Sequence, residues 1–158
     1  MQKLAILVTR LSSWVLSKMG RGGSMPGRLG IKIAPDCLNH LKFGGPVILV
    51  TGTNGKTSTA NMVSDLMEEA GYKVVTNRKG DNLRVGITST LLSHCSLSGR
   101  VKADAAVLEV DELNMKYIVP ALPVTAIIVN NFFRDQLDRA GEMETIIRKI
   151  MAVTKDFT

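Results

Sequence analysis

The sequence predicts an α/β protein: a parallel sheet with helices on both faces. Three observations carry that prediction. Residues 47–50, 103–110 and 124–129 are runs of apolar, often β-branched side chains with little polar alternation, as in strands buried on both faces. Stretches with helical spacing separate them, which is the order of βαβ units. The first run also leads directly into Thr51-Gly52-Thr53-Asn54-Gly55-Lys56-Thr57-Ser58, a glycine turn that opens a helix.

Taken in order, residues 3–19 set Leu4, Leu7, Val8, Leu11, Trp14 and Val15 at helical intervals, predicting an amphipathic helix stopped by Gly20, Gly22 and Gly23. Such a stripe either packs on the domain, the commoner outcome, or lies on a membrane surface with Lys3, Arg10 and Lys18 toward anionic headgroups. Ser24-Met25-Pro26-Gly27 reads as a turn, and Pro35-Asp36 opens a short helix reaching Phe43. Gly44-Gly45-Pro46 punctuates before the first strand. Beyond the glycine turn, residues 59–70 place Met62, Val63, Leu66 and Met67 on one helical face, with Gly71 at the C-cap. A short strand over 73–76 ends in a polar loop, 77–82. Helices are predicted over 84–93, over 111–119 (ended by Pro120) and over 141–153. The loop 96–99 leads into the second buried strand, 103–110, and residues 124–129 form a third.

Right-handed crossovers bring the carboxyl ends of all these strands to one edge of the sheet, where ligands bind in such folds. The glycine turn, the 77–82 loop, residues 109–112 and residues 130–138 all fall there.

The 158 residues suffice for one domain with a real core. Aromatic residues make up only 4%, which argues against the base-stacking surfaces of single-strand nucleic-acid binders. Cys37 and Cys95 have no metal-binding spacing and read as thiols in a reducing cytosol. No apolar run is long enough to cross a bilayer. The net charge of +6 is confined to residues 1–45, where seven basic side chains face Asp36 alone. The organisation read from this is a basic helical leader, 1–45, before a nucleotide-binding unit, 46–158, with the leader facing something anionic.

The glycine turn carries the chemistry. Backbone N–H groups of such a turn converge on phosphate oxygens, and the helix N-terminus adds the positive end of its dipole. Lys56 would reach the terminal phosphates and the Thr57 hydroxyl would ligate Mg²⁺. The usual spacing wants glycine at position 50, where Val50 stands, so the loop is shorter than the common form. Glu109 closes an apolar strand at the same edge, a position that suits a metal ligand; Asp111 and Glu112 are alternatives.

Together, residues 51–57, the strand-end Glu109, and Asn131 four residues before Asp135 resemble the ATP-binding central domain of the Mur ligase family. These are ATP-dependent amide-forming enzymes of peptidoglycan synthesis, related to folylpolyglutamate synthases. The family's shortened loop accounts for Val50. Most members have Asp-His-x-Asp in the last stretch, with a metal-binding His; here it reads Asp135-Gln136-Leu137-Asp138. Residues 133–139 with Gly141-Glu142, residues 77–82, residues 109–112 and Pro26-Gly27 look like the MurT-type subunits of lipid II isoglutaminyl synthase.

That resemblance implies ATP and Mg²⁺ as cofactors and a class I glutamine amidotransferase (GatD-like) partner that supplies ammonia. The implied reaction phosphorylates the α-carboxyl of D-glutamate in lipid II for amidation, at the cytoplasmic side and peripheral to the membrane. By residue, it implies nucleotide contacts at Gly52, Thr53, Asn54, Gly55, Lys56, Thr57 and Ser58, with Lys56 catalytic and the metal on Thr57 and Glu109. Asn82, Asn131, Asp135 and Gln136 become substrate or metal-shell candidates. It also implies the amino-terminal part of a longer chain, whose later portions hold a four-cysteine zinc ribbon and a carboxy-terminal domain. The competing expectations are a ligase that adds an amino acid, of the folylpolyglutamate synthase kind, and a non-catalytic nucleotide-binding module.

Overall fold

The computed structural model describes residues 1–20, 23–77, 81–131 and 143–154. Helices α1 (Gln2–Lys18) and α2 (Met25–Ile33) come first, followed by a 3₁₀ turn at Cys37–His40. Strand β1 (Val47–Thr51), helix α3 (Lys56–Glu69), strand β2 (Val74–Thr76) and helix α4 (Arg84–Ser93) make up the middle. Strand β3 (Ala105–Glu109), the short helix α5 (Met115–Ile118) between two 3₁₀ turns, strand β4 (Ala126–Val129) and helix α6 (Met143–Thr154) complete the order.

The sheet runs β2-β3-β1-β4 and every pairing is parallel. Val50 lies opposite Glu109, and Thr51 opposite Val129. From β1 the chain crosses one way to β2; from β2 and from β3 it crosses the other way. Since parallel crossovers are right-handed, α3 must cover one face and the later helices the opposite face. The side chains obey that division. Val50 and Val107 pack with Ala60, Val63 and Met67 of α3. Val47, Leu49, Ala106 and Leu108, pointing the other way by the two-residue period of strands, share the main core with Ile6, Leu38, Ile87, Leu91, Met115 and Ile118. Residues 1–45 therefore contribute Ala5, Ile6, Ala34, Cys37, Leu38 and Leu41 to the same core as the sheet.

Several local expectations are corrected. Residues 24–27 are not a turn: Met25 to Gly27 begin α2, with Pro26 in the first turn, where its missing N–H costs nothing. The helix expected from Pro35 shrinks to the single 3₁₀ turn. Strand β4 is not buried, because it is the sheet's edge among the described strands: Ala126 and Val129 are exposed, Ile127 and Ile128 half-buried. On α3 the inward residues are Ala60 and Ser64, with Val63 and Met67 partly covered, whereas Met62 and Leu66 are exposed.

The larger correction concerns α1. Its predicted apolar stripe does not pack on the domain; Ala5, Ile6 and Thr9 do, and Leu4, Leu7, Leu11, Trp14 and Val15 stay exposed. Small residues explain the choice. A Cβ placed on Gly30 of α2 would come within 2.6 Å of Thr9 Oγ1, and one on Gly27 within 2.6 Å of the Ser89 nitrogen of α4. Such close approach of helix backbones needs small side chains at the contact and leaves the bulky stripe outside.

Candidate functional site

The crossovers leave β1 and β3 in opposite directions, so a crevice opens between their carboxyl ends. The glycine turn and Glu109 meet there. Gly52 has φ 127°, and any Cβ would sit 2.9 Å from the Asn131 carbonyl oxygen and 3.0 Å from its nitrogen, so only glycine fits. Gly55, at φ 78°, is the N-cap of α3 and has no side chain to cap it. The first turn of α3 also lacks an acidic residue. Its leading N–H groups, which no α-helix can satisfy internally, and the positive dipole end thus face the crevice. Thr57 and Ser58 are exposed in that turn.

Asn130 and Asn131, just past β4, brace the loop from behind. Thr53 donates its N–H to the Asn131 carbonyl at 2.7 Å, and Asn54 donates to Asn131 Oδ1 at 3.1 Å. Asn130 Nδ2 donates to Thr59 Oγ1 at 2.9 Å and to the Asn54 carbonyl at 3.3 Å. Two amides at the front of the loop are thereby engaged by protein. Those of Gly55 to Ser58 are the ones the geometry leaves to a ligand.

Lys56 folds back over the loop. Its Nζ donates to the Gly52 carbonyl, to the Thr53 carbonyl at 3.1 Å and to Glu112 Oε1 at 3.4 Å. Both side chains of that ion pair are 13% exposed. Asp111, the other acidic alternative, is engaged elsewhere: its carboxylate accepts from the Leu113 N–H and caps the 3₁₀ turn.

Glu109 is the centre of the arrangement. It is only 4% exposed, and Thr57 Oγ1 donates to its Oε2 at 2.7 Å while Asn82 Nδ2 donates to its Oε1 at 2.9 Å. Asn77, itself buried, accepts from the Glu109 N–H and donates to the Glu109 carbonyl, both at 2.8 Å. Its Nδ2 also donates to the Asp81 carbonyl at 3.0 Å, tying the 77–82 loop to the end of β3.

A buried carboxylate normally needs an opposite charge. Among the described residues Glu109 makes no ion pair; its partners are a hydroxyl and an amide. That deficit, with a hydroxyl and a carboxylate converging at hydrogen-bond distance, fits a hard divalent cation with oxygen ligands such as Mg²⁺. Among the described residues no group of three or more His, Cys, Asp or Glu forms a metal cluster, so a fully protein-made cage is not what the site offers.

Of the sequence-predicted residues, Gly52, Thr53, Asn54, Gly55, Lys56, Thr57, Ser58, Asn82, Glu109 and Asn131 are thus assembled at one sheet edge. Asp135 and Gln136 lie outside the described residues. Sequence reasoning missed Asn77 and Asn130 as individual contributors. Their signal was position: each follows the last residue of a strand, where a side-chain amide can bond both to the strand end and to the adjacent loop.

A parallel sheet whose first strand runs through a glycine turn into a helix, facing a buried acidic residue at the end of the adjacent strand, defines an open α/β protein of the class that binds ligands at the carboxyl edge of its sheet. More narrowly, the chain belongs to the Mur ligase family: residues 50–158 match the Mur ligase middle domain. It is 36% identical over 148 residues to the lipid II isoglutaminyl synthase (glutamine-hydrolyzing) subunit MurT of Streptococcus pneumoniae, covering 94% of this chain and 33% of that one. It is 30% identical over 151 residues to the subunit of the same name in Staphylococcus aureus strain COL, covering 94% and 34%. The UDP-N-acetylmuramoylalanine–D-glutamate ligase of Natranaerobius thermophilus is 31% identical over 112 residues, 71% of this chain and 22% of that protein. The chain spans about a third of the length of the MurT relatives it matches.

Proposed function

We propose that this chain is the ATP-binding part of a MurT-like ligase subunit that activates the D-glutamate α-carboxyl of lipid II as an acyl phosphate. Ammonia, released from glutamine by a class I glutamine amidotransferase (GatD-like) partner, then displaces the phosphate. The observation that carries the reading is the Thr57 hydroxyl at 2.7 Å from the Glu109 carboxylate, beside an uncapped helix N-terminus. The MurT relatives align over a larger share of the chain than the D-glutamate ligase does, which favours ammonia over an amino acid as the nucleophile.

The residues suit the chemistry. A carboxylate resists attack until one oxygen becomes a leaving group, and moving a phosphoryl group concentrates negative charge that the site must neutralise. The amides of Gly55, Lys56, Thr57 and Ser58 would cradle the phosphates at the positive end of α3. Lys56 is already in the crevice; to meet a phosphate it exchanges the Glu112 carboxylate and two carbonyls for phosphate oxygens, swapping one anion for another. Thr57 and Glu109 would hold Mg²⁺, which when bound supplies charge neutralisation at the terminal phosphates. Asn77 and Asn82 keep the Glu109 carboxylate aimed at Thr57.

The test is amidation of lipid II by the intact subunit together with its glutaminase. Lys56→Ala is expected to lower the rate at least about 100-fold, the scale of removing one transition-state charge donor, while circular dichroism stays unchanged. Amidation at near wild-type rate in that variant contradicts the reading.

A further inference from the structure

The outward face of α1 exposes large apolar side chains that take no part in the crevice. Leu4, Leu7, Leu11, Trp14 and Val15 are 50, 50, 64, 58 and 42% exposed. At ~100° per residue they form one stripe, opposite the side on which Ala5, Ile6 and Thr9 are buried. Met25 and Leu29 of α2 are exposed as well, and Met25 joins Val8, Leu11, Ser12, Val15 and Leu16 around a shallow apolar groove. This is a continuous apolar strip, not a scatter of single side chains.

Charge identifies what covers it. Lys3, Arg10, Lys18, Arg28 and Lys32 are exposed on the same two helices, and no acidic residue precedes Asp36. Lys3 and Arg10 border the stripe on one side. Lys18 closes its carboxyl end, its ammonium 4.7 Å from the centre of the Trp14 ring. A second copy of this face would set those cations against their own kind. Among the described residues no helix is long and apolar enough to cross a membrane. An apolar stripe with tryptophan, edged by basic residues and free of acids, matches a helix lying in the plane of an anionic lipid surface.

We propose that α1, with the adjoining side chains of α2, seats this protein on anionic lipid bilayers, Leu4, Leu7, Leu11 and Trp14 entering the interface and Lys3, Arg10 and Lys18 meeting the headgroups. The proposal does not depend on the nucleotide reading, because binding requires neither ATP nor the residues of the crevice. If the proposed reaction also holds, the seat keeps the site at the surface where a lipid-linked substrate lies.

Trp14 is the only tryptophan in the chain, so it reports directly. The full 158-residue chain is mixed with vesicles of phosphatidylcholine alone or with 30% phosphatidylglycerol, and flotation is measured alongside Trp14 emission. Expected are co-flotation with the anionic vesicles and a blue-shifted, brighter emission, both at least ten-fold weaker on neutral vesicles and reversed by high salt. Leu7→Ser with Leu11→Ser, both at exposed positions, should lower anionic binding at least ten-fold; Lys3→Glu with Arg10→Glu should do the same. Unshifted Trp14 emission on anionic vesicles overturns the proposal. So does undiminished binding by either double variant, or a Trp14 shift that follows protein concentration without lipid, which would make a second copy the occupant.

Discussion

Helices α1 and α3 carry comparable apolar stripes, and both leave several of their bulkiest side chains outside the core. In α1 the buried residues are Ala5, Ile6 and Thr9; in α3 they are Ala60 and Ser64. Leu11 and Trp14 on one helix, Met62 and Leu66 on the other, remain more than half exposed. Apart from Ile6, small residues take the inner face in both because they allow a closer approach: to Gly30 of α2 for α1, and to the twisted sheet for α3. What separates the helices is charge. α1 has three basic side chains and no acid, whereas α3 has Asp65, Glu68 and Glu69 against Lys56 alone. The same exposed apolar pattern thus sits in a cationic frame on one side of the molecule and an anionic frame on the other. Only the first suits an anionic lipid surface.

The largest contrast should come from neighbouring residues of α1. Ile6→Ala removes a fully buried side chain and should cost about 2–5 kcal/mol in urea unfolding. Leu7→Ala, and Leu66→Ala on α3, remove exposed ones and should each stay within about 0.5 kcal/mol. Equal costs for Ile6 and Leu7 would mean the stripe is buried after all. Next, Gly30→Ala tests the close helix contact: its Cβ would meet Thr9 Oγ1 at 2.6 Å and Leu92 Cδ1 at 2.9 Å, and overpacking of this kind should cost about 1–3 kcal/mol. The paired change Gly30→Ala with Thr9→Ala should recover part of the loss.

At the sheet edge, Asn77→Ala strips two bonds from the buried Glu109 backbone and should cost about 1–3 kcal/mol by leaving those groups unsatisfied. A nucleotide titration on the same variant should show weaker Mg²⁺-dependent binding, since Glu109 loses its support. The smallest effect is alkaline. Burial pushes the Cys95 thiol from 9.0 up to about 11, so the unfolded chain gives up this proton first. Stability should therefore be complete below pH 9 and decline between about pH 9 and 11 by this route, an effect that Cys95→Ala removes from the pH profile of unfolding.

The parallel sheet, the glycine loop and the strand-end Glu109 were legible because each rests on a local signal: an apolar run, a glycine spacing, a charge where a strand should be apolar. The pairing of Thr57 with Glu109 followed from topology, once β1 and β3 were placed so that both ends share an edge. The outward turn of α1 was not legible. Hydropathy ranks Leu and Trp above Ala and Thr as core formers, but α1 meets α2 through Thr9, which lies against Gly30 and donates to the Pro26 carbonyl at a separation that leaves no room for a bulky side chain. The short helix α2 was missed for a related reason, since Pro and Gly read as a turn when their packing partner is unseen. The individual roles of Asn77 and Asn130 depend on contacts between distant segments that no local pattern encodes.

The central claim is that a nucleotide's phosphates and a divalent ion are held together between Thr57 and Glu109. Calorimetric titration of ATP, with Mg²⁺ and with a chelator, onto the wild-type protein and Glu109→Gln tests it most directly. The account predicts wild-type binding at least about ten-fold tighter with Mg²⁺, and loss of that difference in Glu109→Gln, whose amide cannot replace an anionic oxygen ligand. An unchanged Mg²⁺ dependence in the variant, or no ATP binding by the wild-type protein, would contradict it.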